Sequence, residues 1–93
     1  MVKKVIIEVE LRNRLGLHAR PSTMIANVAS NFKSEIFIER ISDGMKANAK
    51  SVFGVMMLAA PKGEVLRIEA EGEDAEEAVK ALVDLINRGF DED

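Results

Sequence analysis

The sequence predicts an α+β fold in which a four-stranded, mostly antiparallel sheet is covered by three helices on one face. Three observations lead to this prediction. Four short segments alternate apolar and polar side chains, as strands do when one face of a sheet is buried. Segments with helical spacing follow three of them, giving the order β-α-β-β-α-β-α. The chain has 93 residues without a repeat, linker or low-complexity tract, so residues 1–93 are expected to form a single domain.

The first strand and the first helix differ in the period of their apolar residues. Residues 3–11 alternate, which predicts a half-buried strand. From Ala19 to Asn31 the apolar residues recur every three or four positions, which predicts a helix. The apolar side chains expected on one face of the strand are those of Val5, Ile7, Val9 and Leu11.

A hairpin is expected after the first helix. Residues that favour β-structure from Glu35 to Ile41 predict a second strand, and a short third strand is expected at Met45–Ala47. Between them, the Ser-Asp-Gly sequence predicts a tight turn in which Asp43 and Gly44 occupy positions with positive φ.

The second helix is expected over Val52–Leu58. Ser51 precedes it and can act as its N-cap, because a serine hydroxyl accepts a hydrogen bond from a backbone N–H two or three residues further on. The Pro-Lys-Gly sequence at 61–63 then interrupts regular structure, and a fourth strand follows. The apolar face of this strand comprises Leu66, Ile68 and Ala70.

The third helix is expected to begin after Asp74. Asp74 and Glu77 have the spacing of a capping box, in which the residue three positions on reaches back to the N-cap. Gly89 is expected to end the helix, because glycine readily adopts the left-handed conformation found there. The apolar face comprises Ala75, Ala78, Val79, Leu82, Leu85 and Ile86.

Composition argues against several classes of protein. Without cysteine, and with a single histidine, the chain has no disulfide framework and no obvious metal-binding cluster. Four Phe with no Tyr or Trp offer few aromatic rings for stacking on RNA bases, and no Gly-rich phosphate-binding loop is present. We find no signal peptide and no apolar run near the ~20 residues needed to cross a membrane. We therefore expect a cytoplasmic protein that needs no metal or cofactor, binds no nucleic acid and does not insert into a membrane.

The net charge of -3 is unevenly distributed along the chain. Residues 1–62 contain ten Lys or Arg and five Asp or Glu, whereas residues 63–93 contain three and eleven. The basic part includes the only histidine. A basic face around an anion-binding site would attract acidic partner surfaces.

His18 lies between the first strand and the first helix, and its neighbours suggest a chemical role. An imidazole nitrogen accepts a phosphoryl group near neutral pH, because much of the imidazole is unprotonated there. A helix N-terminus stabilises the added negative charge with free N–H groups and a dipole of roughly +0.5 charge. Arg20 adds a forked donor, and Pro21 is tolerated in a first helical turn. An isolated loop histidine is usually structural, but this combination predicts a phosphoryl-accepting site.

These residues also carry a family resemblance. The Gly-Leu-His-Ala-Arg-Pro sequence at 16–21 resembles the active-site signature of HPr, the histidine-containing phosphocarrier of the bacterial phosphoenolpyruvate-dependent sugar phosphotransferase system. The Lys-Ser-Val-Phe-Gly-Val-Met sequence at 50–56 resembles the family's regulatory serine region. Length and element order match as well, so the resemblance spans nearly the whole chain. It implies an open-faced β-sandwich.

The resemblance also implies a function. His18 would accept a phosphoryl group from enzyme I and pass it to enzyme IIA domains for sugar uptake, with Arg20 stabilising the transferred charge. Such a protein is a carrier with a phosphohistidine intermediate rather than a stand-alone enzyme, and it is expected to be monomeric. In many members an HPr kinase/phosphorylase modifies the serine that corresponds to Ser51.

The second helix is expected to contribute to partner binding. It has more large apolar residues than one buried stripe requires, and exposed Met and Phe make adaptable contacts with several partners. Because the family docks through this helix, the resemblance places Phe53 and Met56 in the partner-binding surface. Val52 and Lys50 are assigned to the same surface.

Two other functions remain open from the sequence. A nitrogen-related branch of the family uses the same phosphotransfer for regulation, and some relatives without the histidine act only as serine-phosphorylated regulatory binding proteins. His18 argues against the second alternative. The chain departs from the family pattern in a slightly longer turn near Ser42, in Met45 where lysine is common, and in Ser22 where alanine is frequent. The first two departures could alter recognition by a serine kinase.

Overall fold

The predicted order of strands and helices is present in the structure, a computed structural model that describes residues 3–92. Most boundaries lie within two residues of those expected from the sequence. The elements are β1 Lys3–Glu10, α1 Ala19–Ala29, β2 Glu35–Arg40, β3 Lys46–Asn48, α2 Val52–Met57, β4 Val65–Gly72 and α3 Ala75–Asn87.

The four strands form one sheet in the order β1-β4-β2-β3, and each neighbouring pair is antiparallel. Ile68 of β4 lies opposite Ile7 of β1 on one side and Ile38 of β2 on the other. The predicted open-faced α+β sandwich is therefore confirmed. The sheet places the loop after β1 beside the start of α1, where the candidate site lies.

The apolar face of the sheet packs beneath the helices. Leu66, Ile68 and Ala70 of β4 are fully buried, as the alternation in the sequence predicted. Burial decreases toward β1 because β1 is an edge strand: Val9 is buried, but Ile7 remains 40% exposed. The sequence pattern thus gave the correct face for β1 and overestimated how completely it is covered.

The other face of the sheet is mostly polar, with Ile6 as an exposed apolar exception, and carries a set of cross-strand ion pairs. Arg67 contacts Glu8 at 3.3 Å and Glu39 at 3.5 Å. Glu69 lies 3.4 Å from Lys4 and 3.9 Å from Lys46. These pairs join all four strands on the solvent side, although exposed pairs of this kind contribute little to stability.

Two local predictions are wrong. In the hairpin turn only Gly44 has a positive φ, of 76°; Asp43 keeps a negative φ, because its carboxylate pairs with Arg40 and accepts a hydrogen bond from the Met45 N–H. The predicted capping box at α3 is also absent, since the Asp74 side chain makes no capping hydrogen bond.

The Asp74 carboxylate instead holds the loop between α1 and β2. It accepts hydrogen bonds from the backbone N–H groups of Lys33 and Ser34, both at 2.9 Å, and from the Ser34 hydroxyl at 2.5 Å. The Ser34 hydroxyl and the Lys33 amide lower the pKa of Asp74 to about 2. Asp74 therefore joins two distant parts of the chain rather than completing its own helix.

The end of α3 follows the prediction, and the chain beyond it turns sharply. Gly89 has a φ of 65°, consistent with its expected role as the residue that ends the helix. Phe90 and Asp91 also have positive φ, of 59° and 58°. This conformation is unfavourable for a phenylalanine, but the Phe90 side chain is completely buried in the core. The turn directs Glu92 toward the start of α1.

In the part of the chain that the structure describes, no helix is long and apolar enough to cross a membrane. Residues 3–92 likewise contain no cluster of three or more potential metal ligands.

Candidate phosphoryl-acceptor site

The loop between β1 and α1 is fixed by backbone contacts on both sides. Leu17 is buried, and its N–H donates to the Ala60 carbonyl oxygen at 2.9 Å. Gly16 has a φ of 66°, and a Cβ added there would lie 2.2 Å from the same carbonyl oxygen. Only glycine fits this close approach. The loop therefore presents the next residues, His18 and α1, in one position.

His18 is the N-cap residue of α1. Its carbonyl oxygen accepts the N–H of Ser22 at 3.1 Å, and its side chain makes no capping hydrogen bond. The imidazole is thus available at a helix start, where the first backbone N–H groups have no intrahelical acceptor. The side chain is 35% exposed, so a partner protein can reach it.

Asn13 supports the loop from beneath. Its side-chain amide is fully buried and donates to the Gly16 carbonyl oxygen and to the Glu92 carboxylate, both at 2.8 Å. The Asn13 Oδ1 atom has no hydrogen-bond partner among residues 3–92. Leaving a buried acceptor unpaired costs about 1–3 kcal/mol. The amide nevertheless keeps this orientation, because both of its N–H groups donate hydrogen bonds, one to Gly16 and one to Glu92.

Glu92 places a carboxylate against the imidazole. Its Oε1 atom lies 3.2 Å from His18 Nε2 and also accepts the Asn13 hydrogen bond. Its Oε2 atom lies 3.7 Å from the Arg20 guanidinium. The Asn13 amide, followed by the His18 ring, lowers the pKa of the Glu92 carboxyl below its ordinary value. Glu92 is therefore ionised at neutral pH and can only accept hydrogen bonds.

Two arginines lie near this site, one before and one after His18 in the sequence. Arg20 is in the first turn of α1 with 61% of its side chain exposed, so its guanidinium can reorient toward a bound phosphoryl group. Arg14 lines a shallow pocket together with Leu15, His18 and Glu92. The site therefore combines one imidazole with two guanidinium groups and one carboxylate.

Ser51 is the N-cap of α2, as predicted. Its hydroxyl accepts the Gly54 N–H at 3.0 Å. A Cβ at Gly54 would come within 3.2 Å of that hydroxyl oxygen, so glycine leaves room for the cap. Ser51 is exposed and open to modification.

The exposed side of α2 is apolar. Phe53 is 80% exposed and Met57 is 71% exposed, whereas Met56 is only half-exposed. Val52 is also half-buried. Lys50 donates to the Phe32 carbonyl oxygen at 2.8 Å and thereby links α2 to the end of α1.

Comparison with known proteins identifies the family. A sequence model described as "PTS HPr component phosphorylation site" matches residues 5–88. The chain belongs to the HPr family. HPr proteins are phosphocarriers of the phosphotransferase system, which agrees with the resemblance found in the sequence.

Individual relatives cover almost the whole chain. The phosphocarrier protein HPr of Neisseria meningitidis is 48% identical over 84 residues, which span 90% of this chain and 92% of the relative. The phosphocarrier protein NPr of Escherichia coli is 41% identical over 85 residues, spanning 91% and 93%. The crystal structure of an HPr from Thermoanaerobacter tengcongensis superposes with a TM-score of 0.86 at 48% identity, covering 98% of each chain.

Within this HPr fold, the sequence analysis selected His18, Arg20 and Ser51 as expected site residues and did not include Asn13 or Glu92, which the structure places in contact with this site. The structure brings His18 and Arg20 together through Glu92. Asn13 carried no signal of its own in the sequence. The sequence did offer one clue to Glu92, a lone Phe90 directly after the helix-ending Gly89, which is typical of a chain end that returns to the core.

Proposed function

We propose that the protein accepts a phosphoryl group on His18 from phosphorylated enzyme I and donates it to enzyme IIA domains that serve sugar uptake. The observation that carries this proposal is the position of His18 at the first turn of α1, beside Arg20, in a chain of the HPr family. Because phosphoenolpyruvate is an intracellular metabolite, the proposal implies a cytoplasmic location.

The chemistry requires little beyond positioning and charge stabilisation. The imidazole attacks phosphorus while the bond to the donor breaks, and the new phosphoryl oxygens lie near the N–H groups at the start of α1 and within reach of Arg20. A phosphoryl group on imidazole transfers onward readily, because a protonated ring is a good leaving group. The acceptor site is small and partly exposed, so partner proteins can supply the remaining groups.

We further propose that partners dock on the exposed side of α2, through Phe53 and Met56 with contributions from Val52 and Lys50. Met57 extends the same surface. The hydrogen bond between Leu17 and Ala60 ties the segment after α2 to the His18 loop, so this surface lies on a segment joined to the site. Aromatic and Met side chains are enriched at the centres of protein interfaces.

Ser51 is proposed as a regulatory phosphorylation site for an HPr kinase/phosphorylase. Its exposure and its place one residue before α2 support this role. A phosphate there would add roughly -1.5 to -2 charge beside the docking surface and would repel acidic partners.

A second candidate is phosphotransfer for nitrogen-related regulation rather than sugar uptake. The 41% identity to the NPr of Escherichia coli favours it as a specific alternative. The two candidates share the chemistry at His18 and differ in their partners. Comparing the rates of phosphorylation by the sugar-type and the nitrogen-type enzyme I separates them, since the physiological donor should react faster at equal concentration.

The test of the shared function is labelling of His18. Incubation with phosphoenolpyruvate and enzyme I should give a phosphate that is labile in acid and stable in base, and the His18→Ala variant should remain unlabelled. Circular dichroism of the variant serves as the folding control. Labelling of a folded His18→Ala variant would show that another residue accepts the phosphoryl group.

A further inference from the structure

We propose that the open edge of β1 is an interface through which two copies of this chain associate as a weak, symmetric dimer. The two β1 strands would run antiparallel, with Ile6 of one copy directly opposite Ile6 of the other, and would join the two sheets into one. This inference is independent of phosphoryl transfer, because neither His18 nor α2 takes part in the contact. It departs from the monomer that the family resemblance implies.

Strand β1 is a long and uninterrupted sheet edge. Within residues 3–92 it pairs with β4 alone, and their register runs without a bulge from Lys3 to Glu10. The opposite edge of the sheet, β3, is only three residues long. Short strands, bulges and prolines are common ways of protecting a sheet edge, and β1 has none of them. It therefore offers a row of unpaired backbone groups to a further strand.

The hydrogen bonds of Leu11, just after β1, determine which residues of the strand face the open edge. The Leu11 N–H donates to the Glu64 carbonyl oxygen at 2.9 Å, and the Leu11 carbonyl oxygen accepts the Gly63 N–H at 2.8 Å, so both backbone groups point toward the side of β4. Successive residues of a strand direct these groups to opposite sides. The residues whose N–H and C=O face the open edge are therefore Lys4, Ile6, Glu8 and Glu10.

Charge selects one register among those that let these residues pair with each other. With Ile6 opposite Ile6, Lys4 of each copy lies opposite Glu8 of the other, which gives two opposite-charge pairs. A shift of two residues in either direction places Ile6 opposite Lys4 or Glu8 instead. Within one copy, Lys4 already lies 3.4 Å from Glu69, and Glu8 lies 3.3 Å from Arg67. The new pairs would therefore continue rows of alternating charge across the joined sheet.

The same register covers apolar side chains that the single chain leaves exposed. Ile6 is 49% exposed on the mostly polar face, and Ile7 is 40% exposed on the face that carries the helices. In the dimer Ile6 contacts its own copy, and Val5 lies opposite Ile7. Val5 and Ile7 line a shallow groove with Val79 and Val83 of α3, so the helix leaves this side of β1 open. The proposed interface is thus apolar at its centre and charged toward its ends, and it is complementary to itself, as a twofold contact requires.

The interface leaves the other proposed surfaces accessible. Helix α2 packs against α1 and β3, at the opposite edge of the sheet, whereas β1 packs against α3. A single pair of edge strands makes a small contact, and small interfaces are typical of transient complexes. We therefore expect dissociation in the micromolar to millimolar range.

The first experiment exchanges the charges between two variants, Lys4→Glu and Glu8→Lys. Sedimentation equilibrium is measured up to about 1 mM, the weak end of the expected range. The wild type should dimerise, and each variant alone should dimerise about tenfold more weakly, because both opposite-charge pairs become like-charge pairs. An equal mixture of the two variants should recover the affinity, because unlike charges then lie opposite each other at both positions. Thermal melting of each variant is the folding control.

The second experiment tests the centre of the interface. Ile6→Lys places two ammonium groups opposite each other and should abolish the dimer, and the fold should persist because Ile6 lies on the solvent side of the sheet. Ile41→Lys is the matched control, since Ile41 is an exposed apolar residue outside β1, with 37% of its surface accessible. This variant should dimerise like the wild type.

The third experiment tests the register by cross-linking, which is straightforward because the chain has no cysteine. Opposite residues of a hydrogen-bonded antiparallel pair have Cα atoms about 5.5 Å apart, within the range of a disulfide. Ile6→Cys should therefore form a disulfide-linked dimer on oxidation. Glu8→Cys alone should not, since its two copies would lie about 13 Å apart, whereas a mixture of Glu8→Cys with Lys4→Cys should cross-link.

Four outcomes would overturn the proposal. A wild-type chain that is monomeric at about 1 mM would leave the edge of β1 to a strand of another protein or to solvent. A dimer that persists in Ile6→Lys would place the contact elsewhere on the molecule. A charge-exchange mixture that associates no better than its separate components would contradict the assigned pairs, and equal cross-linking of Ile6→Cys and Glu8→Cys would contradict the register.

Discussion

At the scale of single residues, the fold constrains His18 and Arg20 differently. The His18 backbone caps α1, and its ring contacts Glu92, so its position is determined by two parts of the chain. Arg20 has one ion pair, at 3.7 Å, and a side chain that is 61% exposed. We therefore expect substitutions at Arg20 to affect transfer and to leave stability almost unchanged.

Arg20→Ala should slow phosphoryl transfer about tenfold or more, because a hydrogen bond to a charged group contributes ~1.5–3 kcal/mol. Arg20→Lys should recover only part of the rate, since lysine keeps the charge and loses the forked geometry. The measurement is the transfer rate from enzyme I together with thermal melting. Arg12→Ala, in the same loop and paired with Asn87, is the control. A large loss of stability with normal transfer would assign Arg20 to the fold instead.

Ser51→Asp tests the regulatory role of the cap. Aspartate is also a good N-cap residue, so α2 should remain folded while a negative charge is added beside Phe53. Transfer at low partner concentration should slow by roughly fivefold, the lower end of typical coupling between sites. Ser51→Ala is the matched control, because it removes the cap without adding charge. Equal rates for the Asp and wild-type proteins would leave Ser51 as a helix cap only.

At the scale of elements, each helix has a separate task. Helix α1 presents the site, α2 presents an exposed apolar surface, and α3 covers the sheet and directs the chain back to His18. The loop between α1 and β2 is connected to the start of α3 through Asp74. Because the tasks are separate, a substitution in one helix can be tested for its effect on transfer, docking or stability individually.

Phe53→Ala should weaken docking without destabilising the protein, because the ring is 80% exposed and contributes little to the core. A hot-spot aromatic contributes about 2 kcal/mol, so the apparent KM for enzyme I should rise roughly 30-fold with little change in the maximal rate. Ile6→Ala, on the exposed face of β1 at the sheet edge, is the control. If both variants change KM equally, α2 is not the docking element.

Asp74→Ala should change the pH dependence of stability. The pKa of Asp74 is about 2 in the folded protein, below the ~3.9 of an unfolded aspartate, so its ionised form favours folding. This contribution is complete above about pH 5 and is lost progressively as the pH falls toward 2.

Urea unfolding at a series of pH values should therefore give a larger free energy of unfolding for the wild type than for Asp74→Ala at pH 6. This difference should shrink below pH 4. Asp84→Ala, on the exposed face of α3, is the control and should show no such convergence. A constant difference between Asp74→Ala and the wild type at all pH values would contradict the assigned hydrogen bonds.

At the scale of the whole molecule, local patterns predicted the elements, and long-range contacts completed the site. Alternation and helical spacing act over a few residues, which is why the strands, the helices and the position of His18 followed from the sequence. Glu92 lies 74 positions from His18, and Asp74 lies 40 from Ser34. Contacts between residues so far apart in the sequence depend on the path of the whole chain. Local sequence patterns do not distinguish a Glu92 or Asp74 carboxylate that makes such a contact from one that is solvated.

The return of the chain to His18 also determines which end of the described chain is suitable for attaching a tag, a dye or a surface linker. A tag, dye or surface linker joined after Glu92 begins beside the imidazole, where it would compete with partners for space. Strand β1 runs from Lys3 to Glu10, roughly 23 Å at ~3.3 Å per residue, so a group joined before Lys3 begins at the strand end remote from the site loop. Immobilisation for binding measurements should therefore use the side of the chain before β1, since an anchor after α3 would itself lower the measured affinity.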